Sequence, residues 1–366
     1  MENYKIKVGI TQGDINGVGY EVIFKAFDNP MMLEICTPII YGSPKVAAYH
    51  RKALDLPANF TIVNSAREAA DDRINIVSCT SDEVKVDLAK VDAEAGKAAS
   101  DALQKAVEEF NDNLIDVLVT APVNHQVLYA DAFPFNSQHV YLEQAVGAGS
   151  PSLPIYVKDG FRLASVTDNM PLREVPGVLT QELVCEKMKA FYDSLKVDFG
   201  VDSPRIAVLS LNPSSNDGKD FGMEEEQVIV PALQEMAQSG ILCFGPYGVD
   251  DFMSKGDYVH FDGILAMYQD QGRAVFHTWA QDEGVVFTSG LPIVRTAPTY
   301  NMHYDVVGKG VMDEASFRDA IYLAIDIHRL RERDAEAHAN PLKKQYYDRR
   351  DDSDKLKQLD EANEEN

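Results

Sequence analysis

The strongest constraint on this chain is its alternation of short apolar runs with helical stretches, together with the polar residues on which the runs end. "KIKVGIT", "PIIYG", "DVLVTAP", "FRLASVT", "RIAVLSL", "FDGILAMY" and "GVVFTSGLPIVRT" read as strands. Between them lie stretches such as "AGKAASDALQKAVEEFNDN", whose apolar residues recur at three- and four-residue spacing, the period of a helix face. This alternation predicts an α/β fold. Several runs hand over to unusual polar residues: Gly13 and Asp14, then residues 120–124, 167–169, 212–214 and 269–272. Loops at the C-terminal ends of sheet strands are where α/β proteins gather ligand-binding groups. The heptapeptide "AMYQDQG", residues 266–272, is accordingly expected to be a strand running into an active-site loop.

With 366 residues and 45% apolar content, the chain is long for one core and natural for two domains. It has no run of eighteen apolar residues, and "MENYKIKVGITQGD" moves straight into a strand-like pattern, so a cytoplasmic protein without membrane contact is expected. A formal charge of −24 argues against nucleic acid and anionic membrane as partners, because both are bound through Lys and Arg. Cys36, Cys79, Cys185 and Cys243 are far apart and form no CxxC pair. They read as small apolar residues rather than a metal or disulfide framework. From about Arg329 the sequence becomes a charge-mixed tail, expected as a solvated helix that frays.

The opening "ITQGDINGVGYE" places Gly13, Gly17 and Gly19 between a strand and a helix. Their spacing is not GxGxxG, and no acidic residue stands convincingly at the end of a second strand about twenty residues on, so this is a weak dinucleotide signal. Taken with "VTAPVN", "MPLREVPGVLT", "LNPSSNDG", "GPYGVDDFM", "AMYQDQG" and "SGLPIVRT", in that order and spacing over residues 5–328, it resembles the 4-hydroxythreonine-4-phosphate dehydrogenase family of pyridoxal phosphate biosynthesis.

The resemblance implies a homodimer whose subunits have two α/β/α lobes around a cleft, similar to the isocitrate and isopropylmalate dehydrogenases. Residues 1–134 plus 291–328 are then the first lobe, 135–290 the second lobe with dimer contacts, and 329–366 the charged tail. It also implies a small phosphorylated or anionic substrate, NAD or NADP, and a divalent metal. The implied reaction oxidises 4-phosphohydroxy-L-threonine and then releases CO₂, with the metal as Lewis acid at the reacting oxygen.

The three histidines that hold the family's metal fall, residue by residue, on Asn169, Ser214 and Gln269. An Asn, a Ser and a Gln offer uncharged oxygens in place of imidazole nitrogens, so no tightly held transition metal is expected. The family's phosphate-gripping Lys, Asn and Arg fall on His277, Val286 and Arg295, of which the Arg alone is kept. A family His-Thr-Glu run meets "SQHVYL", where Gln138 or His139 is the counterpart. The nucleotide-side loop reads "TYNMH", and a side chain in place of the family's Gly works against dinucleotide binding.

Asp270 and His277 are the expected catalytic groups, and His139 and Arg295 the expected substrate-binding ones. His139 and His277 could form an acid/base pair, although a lone loop His is more often structural. Arg295, at the end of an apolar strand, calls for an anion or a carboxylate. Asp14 is equally well read as catalytic or as a cap of the following helix. Asp168 with Asn169, and Asp270 with Gln269, could make an oxygen-rich Mg²⁺ or Ca²⁺ site only if the loop bends, since neighbours on a strand point to opposite faces. Trp279 reads as packing or dimer contact. Three functions stay open: the family's dehydrogenase, an impaired anion-binding or regulatory paralogue, and a metal-independent enzyme on another substrate.

Overall fold

The computed structural model describes residues 4–81, 84–124, 135, 137–147, 151–213, 222–300 and 302–339. The fold is mixed α/β. The strands are β1 (Ile6–Thr11), β2 (Cys36–Gly42), β3 (Phe60–Val63), β4 (Ile74–Ser78), β5 (Val117–Thr120), β6 (Leu153–Lys158), β7 (Phe161–Thr167), β8 (Arg205–Leu209), β9 (Leu242–Tyr247), β10 (Gly263–Tyr268), β11 (Val285–Ser289) and β12 (Val294–Pro298). Among the described residues they form one sheet in the order β3-β4-β2-β1-β5-β12-β11-β6-β7-β10-β8-β9.

Strands β2 and β5 are buried at every position, the pattern of parallel strands covered on both faces. The helix Ala93–Asn111 lies against this part of the sheet through Ala95, Ala98, Ala99, Ala102 and Ala106. These small side chains allow close approach. The helix begins where the Asp92 carboxylate accepts the Glu94 N–H at 3.0 Å.

The run "GVVFTSGLPIVRT" proves to be two antiparallel strands, β11 and β12. The reversal falls at Gly290, whose φ of 82° suits glycine and few other residues, with Pro292 just beyond. This hairpin lies at the middle of the sheet. Strands β1 to β5 with β12 stand on one side of it, and β6 to β10 with β11 on the other. Described residues up to Arg331 form one compact unit, with the sheet continuous across the hairpin. Of the described residues, 332–339 belong to a second unit. The helix Ala315–Ala339 runs through Arg329 without a break, because the tail begins with helix-forming residues.

Residues 269–272 are not the expected loop. Strand β10 ends at Tyr268, and Gln269 opens the helix Gln269–Ala280. Tyr268 supplies no side-chain cap, and Gln271 secures the junction. The Gln271 amide oxygen accepts the Met267 N–H at 2.8 Å and its NH₂ donates to the Ser210 carbonyl at 2.6 Å, joining β10 to the end of β8.

Candidate functional site

Side chains on one face of the central strands floor a cavity of about 460 Å³. The period of two is visible in its lining: Pro154 and Tyr156 from β6, Val286 and Thr288 from β11, Arg295 and Ala297 from β12. The register places Arg295 opposite Thr288, and Thr288 opposite Pro154. Thr120 at the end of β5, the segment 137–139, the turn after β7 and Gln269 complete the walls.

Arg295 is half-buried at the floor. Its Nε and Nη2 donate to Thr120 Oγ1 at 3.1 and 2.6 Å, its Nη1 to Thr288 Oγ1 at 3.3 Å, and its Nη2 to Gln138 Oε1 at 2.7 Å. These bonds fix the plane of the guanidinium at the cavity floor. The "SQHVYL" segment opens the helix Gln138–Ala145, with Ser137 Oγ accepting the Val140 N–H at 3.2 Å. This cap directs two consecutive residues to the cavity. Gln138 meets Arg295, and His139 Nε2 stands 3.2 Å from Ser137 Oγ.

Burial pushes the His139 imidazole below its ordinary pKa, as does Arg295, while the Asp168 and Glu143 carboxylates pull it upward without prevailing. A neutral imidazole can accept a proton. Asp168 and Asn169 both border the cavity despite being neighbours, because β7 ends at Thr167 and Asn169 takes a φ of 48°. That is the bend an oxygen-rich site requires.

Asn169 and Gln269 also meet, but as hydrogen-bond partners: the Asn169 N–H donates to Gln269 Oε1 at 2.8 Å. The amide oxygen at the second position is therefore already engaged with the backbone. Ser214 lies outside the described residues. Among the described residues no group of three or more His, Cys, Asp or Glu is placed to hold a metal. The donor set of neutral amide oxygens does not fit a tightly held transition metal.

Of the expected catalytic residues, Asp270 borders a smaller neighbouring depression with Gln269, and His277 lines neither space. The cavity receives Gln269 and Arg273 of the helix Gln269–Ala280, and position 277 stands about 6 Å beyond Arg273 along the helix axis. There His277 packs edge-on against Phe276 and Tyr156, and burial lowers its pKa. Arg273, which the sequence reading did not single out, does line the cavity. Its signal was position: on the same helix, it is one turn nearer the strand ends.

Asp14 is buried, but it does not cap a helix. The helix Gly19–Ala26 starts after Val18 without a side-chain cap. Asp14 instead accepts the Asn16 N–H at 2.8 Å and the Tyr304 hydroxyl at 2.6 Å. Burial raises its pKa against both bonds. Thr299 Oγ1 and Tyr300 OH are buried at the cavity wall without a hydrogen-bond partner. Trp279 packs on Phe161 with centroids 5.1 Å apart and remains 44% exposed. The four cysteines are free, and burial pushes the Cys36 and Cys79 thiols up to about 12, so they are inert near neutral pH.

Comparison with known proteins adds an independent finding. The family model described as pyridoxal phosphate biosynthetic protein PdxA matches residues 34–324. A protein of Bacteroides thetaiotaomicron named 4-hydroxythreonine-4-phosphate dehydrogenase is 57% identical, with 98% of each chain covered. One of the same name from Sulfurihydrogenibium sp. is 30% identical over 89% of this chain and 99% of its own. A crystal structure of a 4-hydroxythreonine-4-phosphate dehydrogenase from Burkholderia phymatum is similar with a TM-score of 0.71 and 27% identity, covering 89% of this chain and 99% of that one.

Proposed function

The chain belongs to the PdxA family of pyridoxal phosphate biosynthetic proteins and is by family an oxidoreductase, and from that premise we propose that its cavity binds 4-phosphohydroxy-L-threonine and oxidises the secondary alcohol. The observation that carries this reading is Arg295, set at the cavity floor and oriented there by Thr120, Thr288 and Gln138. A guanidinium so oriented suits the planar, two-point grip of a phosphate. The hydroxyl proton goes to neutral His139, the acid/base candidate that stands in the cavity. A nicotinamide dinucleotide, when bound, would supply the hydride acceptor. No step is assigned to a metal, because the neutral amides at the described ligand positions, Asn169 and Gln269, do not fit a tightly held transition metal. We take the two halves of the sheet as the lobes around this cleft, with 1–134 plus 291–328 on one side and 135–290 on the other. The working form is a cytoplasmic homodimer; among the described residues no helix is long and apolar enough to cross a membrane.

A second reading has its own observation. Gln269 and Asn169 are hydrogen-bonded to each other where the resemblance implies metal ligands, which favours an anion-binding paralogue that retains the site and has lost turnover. One assay separates the two. Purified protein, NAD or NADP and 4-phosphohydroxy-L-threonine should give reduced nucleotide and CO₂ in equal amounts. Saturable substrate binding with neither product would establish the paralogue, and absence of binding would remove both readings.

A further inference from the structure

Arg273 is a cation that the reaction above does not use. It stands half-buried in the first turns of Gln269–Ala280 and lines the same cavity as Arg295. Among the described residues it makes no ion pair and no hydrogen bond. Its guanidinium carbon lies 5.1 Å from the centroid of the Tyr156 ring. An aromatic face steers a guanidinium but leaves its N–H donors unsatisfied. Tyr156 is in turn fixed by the sheet, opposite Val286 on β11 and packed on Phe276.

The register separates this second cation from the first. Arg295 pairs with Thr288, Thr288 with Pro154, and Tyr156 is two residues beyond Pro154 on the same face. Two strand spacings put the β12 and β6 anchor points on the order of 10 Å apart. A single small anion held by Arg295 against Thr120 would leave the Tyr156 side of the cavity to another group.

We propose that Arg273 is a specificity-determining contact for a second anionic group, so that the cleft selects small molecules bearing both a phosphate, taken by Arg295, and a carboxylate, taken by Arg273. The proposal rests on the anion-binding reading of Arg295. It adds that ligands with the phosphate alone are discriminated against. In a chain of net charge −24, two guanidinium groups lining one cavity are a selective feature and not a consequence of general basicity.

The test compares two probes that differ by one carboxylate, O-phospho-L-serine and O-phosphoethanolamine, by calorimetric titration of the full-length protein. The unmodified protein should bind phosphoserine about tenfold more tightly or better, the effect of one charge-assisted contact. Arg273→Leu should bind the two probes alike, Arg273→Lys should keep part of the preference, and Arg295→Leu should weaken both. Equal binding of the probes by the unmodified protein, or a preference that survives Arg273→Leu, overturns the clamp and leaves the phosphate site standing. Failure of the unmodified protein to bind either probe overturns the clamp together with the reading on which it rests.

Discussion

His139 is neutral at neutral pH because its surroundings oppose the charged form, and this has a consequence for stability. The folded pKa lies below the ordinary value of 6.5, so below that value the unfolded chain takes up a proton that the folded chain resists. Stability from this residue is present above that value and is lost as pH falls toward the folded pKa. His139→Asn should therefore flatten the decline of urea midpoint between pH 7 and pH 5; an unchanged slope would mean that His139 does not titrate in that range. Arg295 is tested by ligand. Arg295→Leu should lose phosphate affinity by tenfold or more, on the order of 1.5–3 kcal/mol for a charge-assisted bond, with an unaltered circular dichroism spectrum. These residues show what the sequence could tell. Arg295 was legible because a charge ending an apolar strand demands a partner. Arg273 was not, because "QDQG" reads as a loop, and the facing of a side chain four residues after Gln269 depends on whether a helix starts there.

At the scale of elements, the junction between β10 and Gln269–Ala280 places both Gln269 and Arg273. Gln271 holds that junction through two buried backbone groups, the Met267 N–H and the Ser210 carbonyl. Gln271→Ala strands both, and each orphaned buried group costs about 1–3 kcal/mol. A urea titration should show a loss of at least about 2 kcal/mol; a loss below about 0.5 kcal/mol would mean that water or a shifted neighbour replaces the amide. The quoted apolar runs located most central strands because burial on both faces leaves a continuous apolar signature. Strands β3, β4, β6 and β9 were not among them. β3, β6 and β9 are half-buried or exposed at most positions, so they lack the continuous apolar run that marks β2 and β5; nothing in the structure explains why β4, buried at all but its last position, was not read.

Across the whole molecule, Arg331 on the last long helix is held by an ion pair to Asp198, at the end of the helix Gln181–Val197, and by hydrogen bonds to the turn at the centre of the sheet. Arg331 Nε lies 2.6 Å from Asp198 Oδ1, and its Nη1 donates to the Leu291 and Pro292 carbonyls at 2.9 and 3.1 Å, in the turn that joins β11 to β12. Asp198 is 4% exposed and also accepts the Ser194 hydroxyl. Arg331→Ala leaves a buried carboxylate short of its partner and should cost roughly 3 kcal/mol in a thermal or urea melt; an effect under about 0.5 kcal/mol would place this pair with exposed ones. The same sheet positions the cavity, whose guanidinium groups and neutral amides support the proposal of a PdxA-type cleft that grips a phosphorylated ligand by arginine, with no tightly held transition metal at the positions where the resemblance implies histidines. The most direct test is the dissociation constant of 4-phosphohydroxy-L-threonine, measured first under exhaustive chelation and then with one equivalent of Zn²⁺ per chain. Saturable binding of one ligand per chain is expected, with constants that agree within about twofold. A tenfold or greater tightening on adding Zn²⁺, or binding seen only with the metal, would contradict it.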